Sequence, residues 1–485
     1  MYINNVMAQD NLKQKTKNGL YWSAASNFAN QGMRFVFGLI LARLLSPDAY
    51  GVIGMLTVFL CVVQVFIDCG FSQALIAKQD RTQTDFSTEF FFNIGVGLIS
   101  YCLLFISAPF IADFYNMPLL TSVLRVVGLG VIINSLCVVQ SAQFAIRLDF
   151  KTPAKLAVIT NIFSGVVGIF LAYCGYGVWA LVFQQIAGNF LNGILLWILA
   201  GWRPSLEFSK DSFKYLWSYG SKILASSLIQ QVYDNLYPLV IGKFFSARQL
   251  GLYSRAQGFA SLPSTNLSGV LGSVTFPVLS KINNDVERLV AIYRKMIKTT
   301  AFIVFPLMIG LCATASPLIK ILLNEQWYEC ILLCQLLCCA LIWQPISYIH
   351  LSVLKVVGRT DLVLKLEILK RSMGLISIFG AIPFGVVGMC IGFNIFYIYC
   401  FSINTYFTSK ALKVPVITQI KDILPLLINA GAMGIVVYIV TLLQINIYIN
   451  FILSVSVGIV MYILTSRLWF KSIYADAISM IKNKS

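Results

Sequence analysis

Apolar runs of about the 20 residues needed to cross a bilayer recur from residue 20 to residue 466 and leave little chain between them. Unbroken runs of this length satisfy their backbone hydrogen bonds in lipid as helices. Pro, Gly and charged residues bound them near 20–41, 50–72, 87–109, 119–141, 155–173, 177–200, 217–241, 251–276, 299–320, 330–354, 364–382, 385–408, 421–443 and 447–466. The expected fold is an all-α polytopic membrane protein of about fourteen transmembrane helices. Composition agrees: 58% of the 485 residues are hydrophobic and 11% charged, with a mean hydropathy of +0.80, whereas soluble domains are about a quarter charged. The first eighteen residues are polar and basic and the first apolar run is long enough to span, so no cleavable signal peptide is expected.

A net charge of +17 would suggest nucleic acid in a soluble chain. Here the positions of the charges decide. Of the 36 Lys and Arg, 28 fall at the amino terminus and in alternate connecting segments, and the intervening loops hold only Arg43, Lys243 and Arg248. Lys and Arg in short loops stay on the cytoplasmic side, so both termini are expected in the cytoplasm. Attraction to anionic inner-leaflet lipid follows, and no nucleic-acid partner is required.

Residues 20–54 align without a gap on residues 220–254, and the offset of 200 pairs Ala25 with Ala225, Gln31 with Gln231, Arg43 with Lys243 and Gly51 with Gly251. Six expected helices separate the two copies. An even number inserts both in the same orientation, so the repeat is parallel, an arrangement found in transporters with a substrate path between the halves. The chain then divides into a cytoplasmic segment 1–18, a first lobe 19–200, a cytoplasmic linker 201–216, a second lobe 217–410, and a carboxy-terminal helix pair with its tail, 411–485.

Catalytic chemistry is sparse. His350 is the single histidine, which removes paired-histidine zinc motifs and Ser-His-Asp triads; it is expected as a satisfied residue near a cytoplasmic helix end. No Walker-type phosphate loop occurs. Cys330, Cys334 and Cys338 share one helix face, yet nothing nearby completes a metal site, so they read as core. No metal or cofactor is expected, and the chain reads as a non-enzyme. A membrane glycosyltransferase or polymerase would need a general acid or base and an acceptor-holding external loop, while the external loops here are short. A scaffold would have no use for polar stripes inside its helices.

Such stripes are present. Asn27, Gln31, Arg34 and Gly38 lie on one face of the first helix, and Ser227, Gln231, Asp234 and Pro238 repeat that spacing in the seventh. Arg34 and Asp234 are thus pseudo-equivalent positions of opposite charge, candidates for a gate that closes when they pair. Asp68, Glu89, Arg125 and Arg255 are further ionisable residues in or at the edges of helices, which by default mark a functional path or a buried pair. Asp68 and Asp234 are the candidate coupling carboxylates. Asn189, Asn192, Asn394 and Asn404 read as interhelical packing.

The stretch "WSAASNFANQGMRFVFGLILARLLSPDAYGVIGML" from Trp22 resembles the amino-terminal signature of bacterial polysaccharide exporters of the lipopolysaccharide flippase type. "GLYSRAQGFASLPSTNLSGVLGSVTFPVLSKINND" from Gly251 and "VLKVVGRTDLVLK" from Val353 resemble the colanic-acid-exporter branch. The resemblance implies the multidrug/oligosaccharidyl-lipid/polysaccharide flippase fold, two six-helix lobes in a V around a central cavity, with two extra carboxy-terminal helices. It also implies a multi-pass protein of the bacterial cytoplasmic (inner) membrane that flips a polyprenyl-pyrophosphate-linked oligosaccharide, with other polysaccharide-assembly proteins as further partners. Arg34, Arg125 and Arg255 would then meet the pyrophosphate, and Gln31, Gln231, Ser227 and Asn27 the sugars. A cation-coupled drug exporter of the same superfamily is the alternative within transport.

Overall fold

The computed structural model describes residues 29–68, 70–471 and 473–475, apart from the Ser273 side chain, and no strand occurs among them. In order, the first unit carries α1 (29–44), α2 (Pro47–Asp68), α3 (Phe71–Ala77), α4 (Gln83–Tyr115), α5 (Leu119–Ser135), α6 (Val138–Ile146), α7 (Lys151–Tyr173), α8 (Val178–Leu199), α9 (Lys210–Asp234) and α10 (Leu236–Phe244). Then follow α11 (Ala247–Ser280), α12 (Val286–Leu322), α13 (Cys330–Leu341), α14 (Gln344–Val356), α15 (Thr360–Ala381), α16 (Gly385–Leu412), α17 (Val416–Thr441) and α18 (Ile447–Trp469). The chain divides into two compact units, Met1–Gly251 and Leu252–Ser485.

Among the described residues nine helices are long and apolar enough to cross a membrane, or ten when the α5–α6 pair, bent by 41°, counts as one span. One of the nine, Thr360–Leu412, has 53 residues. At 1.5 Å per residue that is ~80 Å, far beyond a ~30 Å hydrocarbon core. It folds back instead: Ser377 Oγ of α15 donates to the Gly392 carbonyl of α16 at 2.6 Å. The expected figure of fourteen is not reached by length and hydropathy because α1, α9 and α11 fall short. α1 is described only from residue 29. α9 carries Lys210, Asp211, Lys214, Lys222 and Asp234, and α11 is rich in Ser, Gly, Gln and Thr. These are the helices that hold the polar stripes and the repeat.

Several expected single helices are broken. The second is interrupted between Asp68 and Phe71, the fourth at 136–137, the seventh at Asn235 and the tenth at 342–343. Pro238 and Pro345, which lack an N–H for the helical ladder, account for the last two. The fourth and tenth are counterparts in the repeat, and both are broken.

Caps fix the helix starts that face water. Thr82 and Asp85 form a reciprocal capping box at α4, and Lys78 Nζ holds Asp85 at 2.7 Å. Asp149 accepts from the Lys151 and Thr152 amides at 3.1 and 3.0 Å ahead of α7.

In the second unit α17 is clasped to α12. Arg294 donates to both oxygens of Asp422 at 2.7 and 2.8 Å, and Lys298 Nζ lies 2.9 Å from Oδ1. Beside this cluster Tyr293 OH donates to Gln419 Oε1 at 2.8 Å, so its oxygen accepts from His350 Nδ1, also at 2.8 Å. His350 is buried and its Nδ1 is satisfied by Tyr293, which reaches from α12 to α14. Cys330, Cys334 and Cys338 are buried in α13, as a core face requires.

Candidate functional site

A cavity of about 570 Å³ lies within the first unit, walled by α1, α2, α7 and α8. Small residues make the walls. A Cβ on Gly165 of α7 would come within 2.5 Å of the Phe37 ring of α1, and one on Gly168 within 3.0 Å of Gln184 of α8. Asn161 Nδ2 of α7 donates to Asn30 Oδ1 of α1 at 2.9 Å, and Tyr50 OH of α2 donates to the Gly38 carbonyl at 3.3 Å.

Its lining is polar in a particular way. Gln184, Gln185, Asn189 and Asn192 come from one face of α8, Thr160, Asn161 and Ser164 from α7, and Tyr50 from α2. Among the described residues Arg34 of α1 is the only charged one in the lining. Arg34 forms no ion pair with a described residue. Arg34 is exposed in the cavity, where a guanidinium without an ion-pair partner among the described residues is open to an anionic ligand. A guanidinium grips phosphate or carboxylate oxygens in a planar fork, and carboxamides and hydroxyls both donate to and accept from alcohol groups. The volume falls in the ~300–1,000 Å³ range of small-ligand sites.

Of the residues expected to meet substrate, Arg34 lines this cavity, together with Gly38 of its stripe and with Asn189 and Asn192, which were expected as interhelical packing. Gln31 is half-buried one turn earlier on α1, and Asn27 lies outside the described residues. Ser227 and Gln231 are half-buried on α9. Asp234 ends α9, exposed, and both its oxygens accept from Gln230 at 2.8 Å; no ion pair joins it to Arg34 in this conformation. Arg125 is braced on α4, with its guanidinium 4.1 Å from the Phe105 ring centre and Nε donating to the Phe105 carbonyl at 3.4 Å. Asp68 ends a relay in which Asn134 donates to Gln64 and Gln64 to Asp68, both at 3.2 Å. Arg255, in the second unit, lies 5.4 Å from the Trp327 ring centre. Asn189 and Asn192 line the cavity, whereas Asn394 packs by donating to the Leu336 and Cys390 carbonyls. Gln184 and Gln185 were missed, and Asn189 and Asn192 read as packing, because a Gln or Asn alone carries no sign of which helix it faces.

The second unit has a different hollow. It measures about 330 Å³ and is walled by α12, α17 and α18 with an almost wholly apolar lining that includes Leu307, Leu311, Val437 and Ile459.

A bundle of apolar helices that keeps a charged, amide-lined cavity within its span has the architecture of a membrane transporter. Residues 40–332 match the model of the family described as "Polysaccharide biosynthesis protein", more than half of the chain, and the chain belongs to that family. It is 25% identical over 382 residues to the teichuronic acid biosynthesis protein TuaB of Bacillus subtilis, covering 78% of this chain and 79% of that one. With the lipopolysaccharide biosynthesis protein WzxC of Escherichia coli it shares 24% over 413 residues, 84% and 82% of the two chains. Among solved structures, the lipid II flippase MurJ in an inward closed conformation superposes with a TM-score of 0.77 at 18% identity, covering 93% of this chain and 99% of that one. An inward-facing multidrug MATE transporter gives 0.59 at 16% identity, with 79% and 96% covered. These two establish the fold.

Proposed function

We propose that this chain is a flippase that moves a polyprenyl-pyrophosphate-linked oligosaccharide across the bacterial cytoplasmic membrane for surface polysaccharide assembly, by alternating access and without altering its cargo. The observation that carries the reading is Arg34, a lone cation in a cavity otherwise lined by amides and hydroxyls. Phosphate supplies the missing anion and sugar hydroxyls match the amides. Phe37 and Tyr50 offer ring faces to the apolar sides of sugar rings. Drug export, which a MATE-like fold alone would also allow, leaves the row of carboxamides without a purpose.

The relatives named for teichuronic acid and lipopolysaccharide biosynthesis support the substrate class. The loop-charge pattern supports cytoplasmic termini, and assembly proteins that make or extend the glycan are the natural partners. Arg125 and Arg255 remain secondary candidates for phosphate, and Gln31, Gln231, Asn27 and Ser227 for sugar, in other conformations of the cycle. An Arg34–Asp234 pair would close the path when no substrate is bound.

Binding tests the reading directly. Native mass spectrometry of the detergent-purified chain should retain undecaprenyl pyrophosphate over undecaprenol, and Arg34→Ala should weaken binding about 10- to 100-fold, the loss of a charged hydrogen bond of ~1.5–3 kcal/mol. Arg34→Lys should keep part of it. Equal retention of the alcohol and the pyrophosphate would exclude Arg34 as the phosphate site.

A further inference from the structure

Glu89 lies two turns into α4 with none of its surface exposed. Ser72 Oγ on α3 donates to Oε1 at 2.8 Å, and Oε2 has no hydrogen-bond partner. One turn further along the same face, Asn93 is equally buried with both amide atoms unpartnered. On α6, which packs against both α3 and α4, Gln140 is fully buried and likewise unpartnered at both amide atoms. Buried polar atoms are nearly always satisfied in folded proteins, so three such side chains on neighbouring helices mark a place built for something other than packing.

The surroundings contain no counter-charge. α3 and α6 carry no charged residue. Asp68 of α2 accepts from Gln64, and Asp85, one turn before Glu89, is paired with Lys78. On α9, Lys210, Asp211, Lys214 and Lys222 are exposed, as are Tyr215 and Tyr219; Tyr233 ends that helix. Arg125 of α5 stacks on Phe105, and Lys243 of α10 lies 4.4 Å from the Phe114 ring centre. On α4 itself Tyr101, Cys102, Asp113 and Tyr115 lie three or more turns further on. No ion pair among the described residues involves Glu89. Beside Ser72, Phe71 stacks on Phe92 at 4.5 Å and meets Phe213 and Trp217 edge-on at 6.2 Å. Burying a charged carboxylate without a counter-charge is costly, and the neutral acid avoids that cost.

The carboxyl also sits at a discontinuity. α2 and α3 belong to one broken span, and Gly70, at φ 70°, starts α3 in a left-handed conformation that a side chain would strain. A Cβ there would meet Ile223 of α9 at 2.9 Å. The seating of α3 on α4 and α9 therefore sets whether Ser72 reaches Glu89. Broken helices with polar groups at the break are where membrane transporters hold ions.

We propose that Glu89 is a proton-binding site that couples transport to the proton gradient. While α3 is seated the carboxyl is the neutral acid; when α3 and α4 part, it yields its proton to one aqueous face and is reloaded from the other. Only the O–H bond forms and breaks, and the proton is the sole species exchanged. The coupling half of the proposal rests on the flippase reading; the titration half does not.

Two measurements keep these separate. Difference infrared spectroscopy of the full chain in nanodiscs should show a protonated-carboxyl band at neutral pH that is absent in Glu89→Gln, retained in Asp68→Asn and shifted in Ser72→Ala. A band unchanged in Glu89→Gln means that Glu89 is ionised and overturns the proposal. In liposomes, a gradient of one pH unit carries the free energy of a tenfold ratio per proton. The steady-state distribution of flipped lipid-linked oligosaccharide should therefore change about tenfold per unit for the wild type and not at all for Glu89→Gln. An intact gradient response in Glu89→Gln also overturns it. If the wild type flips nothing while the band behaves as expected, the flippase reading fails and the proton site stands.

Discussion

Arg34 and Asp422 show the two fates of a charge inside these helices. Asp422, mostly buried, is answered in full by Arg294 and Lys298, and the three side chains hold α17 against α12. Their cations are about a third exposed, so the cluster ranks between surface pairs of ~1 kcal/mol and buried ones of ~3 kcal/mol. Asp422→Asn leaves two cations facing each other across a neutral amide. It should lower the detergent melting temperature while Lys421→Asn does not; equal melting of the two variants would show that the clasp contributes nothing. Arg34 has no such answer among the described residues, the difference on which the proposed ligand role rests.

The elements record the duplication in their contacts. α2 begins at Pro47 and α11 at Ala247, an offset of 200, and their first turns, both within the first unit, meet reciprocally. A Cβ on Gly51 would overlap the Ala247 carbonyl, and one on Gly251 would overlap the Pro47 carbonyl. Each glycine is the space into which the other copy's backbone fits. Gly51→Leu or Gly251→Leu should each destabilise the protein by about 1–3 kcal/mol or more, the usual cost of overpacking, read as a lower melting temperature. Gly32→Ala and Gly258→Ala, with nothing within 4 Å, should be near neutral. Similar losses at all four positions would show the close approach to be incidental.

That reciprocity was legible in sequence as the Gly51–Gly251 pair of the repeat, because duplication preserves residues that backbone approach requires. The helices were legible for the same kind of reason, since lipid admits little else. The break at 136–137 was not, because Leu136 and Cys137 continue the apolar pattern unchanged, and the one at 342–343 shows in the sequence only as Pro345 within an otherwise unbroken apolar run. Of the site, Arg34 stood out because charge is rare in such a helix. Gln184, Gln185, Asn189 and Asn192 did not: which face of α8 meets α1 and α7 is decided by the glycines at 165, 168 and 188, and spacing within one helix does not name its neighbours.

The whole molecule turns large apolar side chains outward along its spans. Ile106, Phe110, Phe170, Ile376, Ile439 and Ile452 are exposed on five different helices, a surface that water would not tolerate and lipid requires. The proposed orientation rests on the loop charges. Reporter fusions after residue 115 should read as external and fusions after residue 210 as internal, and the reverse at either site would contradict the proposed topology. The central claim concerns transport itself, and a reconstituted system tests it most directly. Purified chain in liposomes should carry a polyprenyl-pyrophosphate-linked oligosaccharide from one leaflet to the other, read by a glycan-binding probe confined to one side, while mass spectrometry finds the lipid-linked glycan unchanged. Failure of a correctly inserted chain to move it, or a glycan lengthened or transferred by the pure protein, would contradict the account.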